Sequence, residues 1–495
     1  MIFCCTCFCA CGTSRKAFDP DRKYSPTQLK KDYTLFRDIL EDMHPSLYWY
    51  MSKDSMDYYF NQGLAGITDS MTEPQFRTRL SFVISRIGCG HTSIRSSRDY
   101  SHYLDTVKGP QFPLVLKFWN DTMVVAVNLN RRDSILRRGV LLDSIDGRST
   151  RQLIDTLFNY FVTDGYNQTG KYQYLSTGLN FGSWYKNVFG YSKNFRIAYR
   201  DSAGIMRETT IPLYDQRADT VRWFGLRPRG GGRAPEKRGS RRKRELFLTR
   251  NLQLDSSGNT AYMMLNTFEN GNHLGRFFRQ SFRTLDEQHI QNLVIDVRSN
   301  GGGDATNSTH LTRYLIDHPF KVADSLYAIR RHGKYSKYIE KDMLYRLMMT
   351  FVSRKRADGK YHFGYFERHV FNPLQKHHFG GQIYVLTGGN SFSATSLFAG
   401  ALKGQKNVTL VGEETGGGYY GNTAWMIPDV TLPETGVRFR LPRFRLVVDR
   451  AREKNGHGVE PDVIATPSIE AITKGLDFKT AKARELIHMH AAAKK

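Results

Sequence analysis

One stretch constrains this chain more than any other: Gly381 to Gly418, GQIYVLTGGNSFSATSLFAGALKGQKNVTLVGEETGGG. The apolar run Ile383-Tyr384-Val385-Leu386 is cut off by Gly388-Gly389-Asn390 and followed at once by Ser391-Phe392-Ser393-Ala394-Thr395-Ser396-Leu397. That order predicts a strand, a tight turn and the start of a helix. A serine at such a helix N-terminus sits beside unpaired backbone N–H groups and feels the positive end of the helix dipole. An oxyanion forming there is stabilised without side-chain donors. Serines and threonines are also the usual N-caps, so Ser391, Ser393 or Thr395 could simply cap this helix. What decides between capping and catalysis lies elsewhere in the chain.

A length of 495 residues predicts two or three domains, and 40% hydrophobic with 13% aromatic residues supplies real cores and excludes a disordered chain. The net charge of +25 would suggest an anionic partner, but the basic residues are spread along the chain apart from one dense cluster. Five of the six cysteines, Cys4, Cys5, Cys7, Cys9 and Cys11, crowd the first dozen residues, and only Cys89 lies in the body. The body therefore has no disulfide framework. A metal knuckle lacks its second ligand cluster. Phe8-Cys9-Ala10-Cys11-Gly12 instead resembles a bacterial lipobox, short and without a basic leader, in which Cys11 would be lipidated. Residues 1–23 are thus expected to be a lipoprotein-type signal and tether, holding the protein at a bacterial cell envelope and facing the periplasm or exterior. No other run reaches the ~18 apolar residues that span a bilayer.

Residues 24–104 read as a helical domain. Ser25-Pro26-Thr27-Gln28 is a capping box with proline at the first helical position, and Leu29, Tyr33, Phe36, Leu40 and Met43 mark one face up to His44-Pro45. Thr72-Glu73-Pro74-Gln75 starts a second helix striped by Phe76, Leu80, Val83, Ile84 and Ile87, which ends at Gly88-Cys89-Gly90-His91-Thr92. By itself that pentapeptide reads as an ordinary turn histidine. Residues 105–215 turn β-rich, with strands near 113–118 and 123–127, a helix over 150–161, and a hairpin over 195–213 turning at Ser202-Ala203-Gly204. This pattern loosely resembles a PDZ domain, which would hold an extended peptide on a sheet edge; a spacer without a ligand fits it nearly as well. Residues 216–250, including RPRGGGRAPEKRGSRRKR, lack hydrophobic periodicity and read as a basic linker. Such a segment can bind nucleic acid, but an anionic membrane surface beside a tethered N-terminus accounts for it without one.

Residues 251–475 alternate short strands with helices, and residues 476–495 read as a helical tail. The strand Leu293-Val294-Ile295-Asp296-Val297 breaks into Arg298-Ser299-Asn300-Gly301-Gly302-Gly303. Consecutive glycines after a buried strand leave N–H groups free to point at an anion. A phosphate loop would continue Gly-Lys-Ser/Thr, whereas Asp304-Ala305-Thr306 follows, so the oxyanion reading is preferred.

IDVRSNGGG, YVLTGGNSFSATSLFAGALKG, LVGEETGGG and GHGVEPD, in this order, resemble the S41 serine peptidases: the C-terminal-processing, tail-specific and tricorn-core proteases. IGCGHT resembles the element that precedes the PDZ-like region in many of them. The resemblance implies an α/β catalytic domain of the ClpP/crotonase-like type, with an N-terminal helical domain and a β-rich PDZ-like domain. It implies Ser393 as nucleophile, the middle serine of SFSATS. The processing-protease lysine would fall at Gly418, so the base implied is the tricorn-like histidine, His91, with Gly90 where tricorn has a serine. Glu460 of GVEPD is the candidate acidic member, and the N–H groups of Ala394 and of Gly301 or Gly302 would be the oxyanion donors. No metal or organic cofactor is implied, the partner is a peptide or protein substrate, and no nucleic acid is expected. The alternative function is a catalytically inactive relative that binds peptides or apolar ligands.

Overall fold

A computed structural model describes residues 18–107, 109–217, 238–256 and 259–492. Cys11 and most of the basic linker lie outside the described residues. The N-terminal helices start where their caps predict. Ser25 Oγ accepts from the Gln28 N–H while Gln28 Oε1 accepts from the Ser25 N–H, which starts Pro26–Met43. Glu73–Ile84 begins with Gln75 accepting the Thr72 N–H at 2.9 Å and runs on through the 3-10 turn Ser85–Ile87 to Gly88, whose φ of 65° favours glycine.

The buried face of these helices does not close on itself. Leu29, Phe36, Leu40 and Leu80 share one core with Val430, Leu432, Val437, Phe439 and Leu441, far along the chain. Each such side chain removed from water contributes roughly 2 kcal/mol, so the segment 429–441 is a part of the helical core rather than a surface neighbour. The Phe36 and Phe439 rings meet edge to face at 5.1 Å. Buried Asp32 accepts from the Glu434 and Thr435 N–H groups at 3.0 and 2.8 Å. Ile94–Arg95, just past His91, pairs antiparallel with Arg438–Arg440.

The middle region contains the hairpin of Leu114–Trp119 and Thr122–Asn128 and a four-stranded sheet that includes Asn194–Arg200 and Met206–Pro212. Beyond the expected helix, Thr150–Leu157, it also carries helices Thr169–Leu175 and Asn180–Phe189. Their Leu175, Phe181 and Tyr185 fill the same core as Phe112 and Phe195. The described C-terminal part of the linker expected over 216–250 is regular. Arg238–Thr249 is helical, with Arg241 and Glu245 paired one turn apart, and Arg250–Leu254 is an edge strand.

The last region is built on a six-stranded sheet ordered Arg250–Leu254, Thr260–Leu265, Asn292–Asp296, Gln382–Thr387, Val408–Gly412, Val463–Ile464, parallel after its first strand. Because both faces are covered, the strands read as continuous apolar runs. Leu274–Glu287 and Ala394–Leu402 pack one face, with Phe278, Phe282 and Phe398 in that core. The C-terminal helix Phe478–Ala492 packs the other through Ala483, and buried Lys479 donates to the Thr387 carbonyl at 2.7 Å, so this tail is part of the domain. A second, antiparallel sheet of five strands, including Ser325–Ala328, Gly421–Ala424 and Phe444–Val447, stands beside it. Among the described residues no helix is long and apolar enough to cross a membrane.

Candidate active site

Gln382–Thr387 leads through the Gly388-Gly389-Asn390 turn to Ala394–Leu402, and Ser393 stands at the junction with φ 57° and ψ −122°. A serine pays a steric cost in that region, and the cost persists only where the surroundings impose it. Two side chains impose it here. Ser391 Oγ accepts from the Gly388 N–H at 3.2 Å and donates to the Val297 carbonyl at 2.9 Å, clamping the turn to the end of a neighbouring strand. Ser396 Oγ donates to the Ser391 carbonyl at 3.0 Å. Ser391 is thus wholly buried and structural. Ser393 makes no cap bond to its helix, so capping does not account for it.

The glycine triplet lies against this junction. Phe392 N–H donates to the Asn300 carbonyl at 3.2 Å. A Cβ on Gly302, whose φ is 98°, would stand 2.7 Å from both the Phe392 carbonyl and Ser393 Cβ, so only glycine permits the approach. Gly302 N–H is itself donated to Asn300 Oδ1 at 2.9 Å. Of the donors expected from the sequence, Ala394 and Gly301 keep their N–H groups unengaged, whereas Gly302 is occupied. Gly303, the third glycine of the triplet, borders the same cavity as Ser393 and also has an unengaged N–H.

His91 arrives from the other end of the chain. Its ring packs on Phe392 with centroids 4.6 Å apart. The departure at Gly90 has a steric reason, because a Cβ there would stand 2.6 Å from the Phe392 ring. Both ring nitrogens of His91 are buried and without a hydrogen-bond partner, and no bond joins it to Ser393. Burial, and then the Arg440 charge, hold the imidazole down to about 3, so it is neutral throughout the neutral range.

The carboxylate beside His91 is Asp164, which no motif marked. Its oxygens accept from the Gly90 N–H at 2.9 Å and the Gly418 N–H at 3.2 Å, and burial pushes it up to about 6. Gly418 is where the resemblance would place the processing-protease lysine. A Cβ there would stand 2.4 Å from the Gly421 carbonyl, so any side chain would displace the backbone. Asn167, on the same loop, donates to the Thr415 carbonyl at 2.9 Å, so the loop at 163–170 ties IGCGHT to LVGEETGGG. Glu460 is brought elsewhere: it is exposed and shares a cluster with Glu414 and His457. Lys403 pairs with Asp462, not with Ser393.

Two clusters offer metal donors. One atom each of Cys89, His91 and Asp164 lie within 4.8 Å of one another, as do those of Glu414, His457 and Glu460. Burial pushes the Cys89 thiol up to about 11, and its Sγ accepts from Thr92, so it stands as a protonated core residue.

Residues 259–465 match the family described as Peptidase family S41. Among solved structures the chain is similar to mature CPAF, at 14% identity and a TM-score of 0.61, covering 93% of this chain and 96% of that one. It is similar in the same degree to mature CPAF complexed with lactacystin, covering 93% and 97%. The photosystem II D1 C-terminal processing protease aligns at 14% identity and a TM-score of 0.39, over 90% and 96%. No curated protein matches the sequence.

Proposed function

We propose that the chain, whose residues 259–465 match peptidase family S41, is a serine peptidase that acts on a peptide or protein through Ser393. Ser393 Oγ attacks the scissile carbonyl while His91 takes its proton. The tetrahedral oxyanion is held by Ala394 N–H and a glycine N–H of the 301–303 loop. His91 then protonates the leaving amine, and water resolves the acyl-enzyme by the same route in reverse. A dipole and N–H groups already aimed at the oxyanion need no reorganisation during reaction, which makes them the largest electrostatic contribution.

The observation that carries this reading is the conformation of Ser393. A strained, uncapped serine at a helix N-terminus, pressed against a glycine loop and one residue from the ring that carries a neutral histidine, has no structural need met by the strain. Asp164 is the carboxylate we assign to orient His91, supported by its place beside the imidazole. Glu460 could take that role only after moving from its surface cluster. The middle region is proposed to act as a PDZ-like peptide-holding module, and Cys11 to be acylated at a cell envelope. Cys11→Ala should then release the protein from the membrane fraction.

The unpartnered ring nitrogens of His91 favour a second reading, a binder that no longer cleaves. A serine-directed phosphonate, read by intact mass, separates the two. The catalytic reading expects one adduct per chain, mapped to Ser393 and absent from Ser393→Ala; no adduct on the native protein supports the binder.

A further inference from the structure

A cavity of about 440 Å³ opens beside Ser393, walled by Tyr345, Asn422, Trp425 and Arg440 among others. Its polar groups are mismatched in a way the protein alone does not resolve. Arg440 lies on the strand Arg438–Arg440, whose pairing with Ile94–Arg95 fixes its backbone, the Arg440 N–H donating to the Ser93 carbonyl at 2.9 Å. Its guanidinium is partly buried and makes no hydrogen bond or ion pair among the described residues. The neighbouring carboxylate, Asp429, is already shared by Arg95 at 3.1 Å and Arg438 at 3.3 Å. Three guanidiniums therefore surround one carboxylate, and Arg440 is the one left over. Asp304 also borders the cavity, but its carboxylate is engaged by the Thr306 N–H at 2.8 Å and by Asn270 at 2.7 Å.

An arginine cannot relieve such a position by losing its proton, and a half-desolvated charge without a partner is costly to keep. Asn422 repeats the pattern, because its Oδ1 is buried, borders the same cavity and accepts no hydrogen bond. Trp425 and Met426 hold consecutive positive φ values of 54° and 44° in the same wall, strain of the kind found where a pocket is shaped for a ligand.

We propose that this cavity is a specificity pocket for a carboxylate carried by the peptide substrate, bound by the Arg440 fork while Asn422 Oδ1 accepts a substrate N–H. The inference rests on the peptidase reading of Ser393 and adds the substrate class. The carboxylate has two possible sources, an Asp or Glu side chain near the scissile bond or the free C-terminus of the peptide.

The test uses a synthetic peptide library with Glu, Gln or Lys at each position flanking the cleaved bond, in free-acid and C-terminally amidated forms, read by mass spectrometry. A charge-assisted fork predicts a preference of about tenfold or more for the carboxylate member of one pair. Glu over Gln assigns the side chain, and free acid over amide assigns the terminus. Arg440→Met should collapse that ratio toward one and Arg440→Glu should turn it toward Lys; Arg440→Gln repeats the first test should the methionine variant fold poorly. Ratios near one in the native protein, or a ratio that survives Arg440→Met and Arg440→Gln, overturn the proposal. Binding of fluorescein-labelled members of the same pairs to Ser393→Ala, read by anisotropy, separates it from the reading beneath it. Carboxylate preference in binding with no cleavage by the native protein retains the pocket and rejects the peptidase mechanism, while cleavage without preference rejects the pocket alone.

Discussion

The two halves of the proposed active site are built in opposite ways. The nucleophile half is largely local: strand, turn, Ser393 and helix follow one another within residues 382–402, and one further stretch, 297–303, supplies the carbonyl that Ser391 clamps and the glycine loop. The base half is assembled from distant pieces. His91 is set by a helical core that includes Val430 to Leu441, by a strand paired to Arg438–Arg440, and by a loop at Asp164 that reaches both Gly90 and Gly418. A local motif survives as a sequence signature because its contacts are neighbours in the chain. An assembled one depends on tertiary docking and leaves only fragments.

The largest expected effects treat the halves as equals. Ser393→Ala and His91→Ala should each lower kcat/KM by about ten-thousandfold or more, with the double variant scarcely worse, because nucleophile and base act as one unit. Steady-state assay on any cleaved peptide checks this. Full activity in His91→Ala would mean that the assembled half is not catalytic. Lys403→Met, whose side chain serves Asp462, is expected to stay within a fewfold of native.

The next prediction sharpens the assembled half. Asp164→Asn is expected to lower kcat by about a hundredfold or more while KM changes little. It also turns an amide toward two N–H donors, so a loss of roughly 1–3 kcal/mol in stability accompanies it. Glu460→Gln, at an exposed site, should change neither by much. The reverse pattern, with Glu460→Gln inactive and Asp164→Asn active, would show that the working enzyme rearranges around Glu460.

How far the sequence reached follows the same division. Capping boxes at Ser25 and Thr72, the apolar strands and the serine junction were readable because each is encoded by neighbours. The structure resolves which serine clamps the turn and which stands uncapped at the junction, and that depends on the Val297 carbonyl, 94 positions from Ser391. Asp164 carried no signal, since a lone Asp-Gly pair reads as a turn. The antiparallel second sheet was also hidden: Ser325–Ala328 and Phe444–Val447 lie far apart in sequence and become partners only in the fold. Arg440 looked like part of a diffuse basic surface until the ion pairs of Asp429 showed which guanidinium was left over.

The smallest predicted effect concerns pH and also separates the halves, because the groups that titrate belong to the assembled one. His44 and His91 are both held near 3 by burial, against ordinary values of 6.5. The native state therefore binds fewer protons, and their contribution is present above about pH 6.5 and lost as pH falls toward 3. Asp164 is raised from 3.8 to about 6, so it acts with opposite sign: its cost at neutral pH is relieved as pH falls through that window. Two imidazoles against one carboxyl give a net fall in Tm between about pH 6 and 4, and Asp164→Asn should make that fall steeper. A flat Tm across this range would show that the imidazoles are not buried in the neutral form.

The most direct test of the central claim, that Ser393 forms an acyl-enzyme with His91 as base, is the pre-steady-state burst on an activated ester. In stopped flow the native protein should release close to one equivalent of leaving group per chain before the slower steady state, and neither Ser393→Ala nor His91→Ala should show that burst. Native protein that turns the ester over without a burst in Ser393-dependent fashion, or a burst of full amplitude and rate in His91→Ala, would contradict the account.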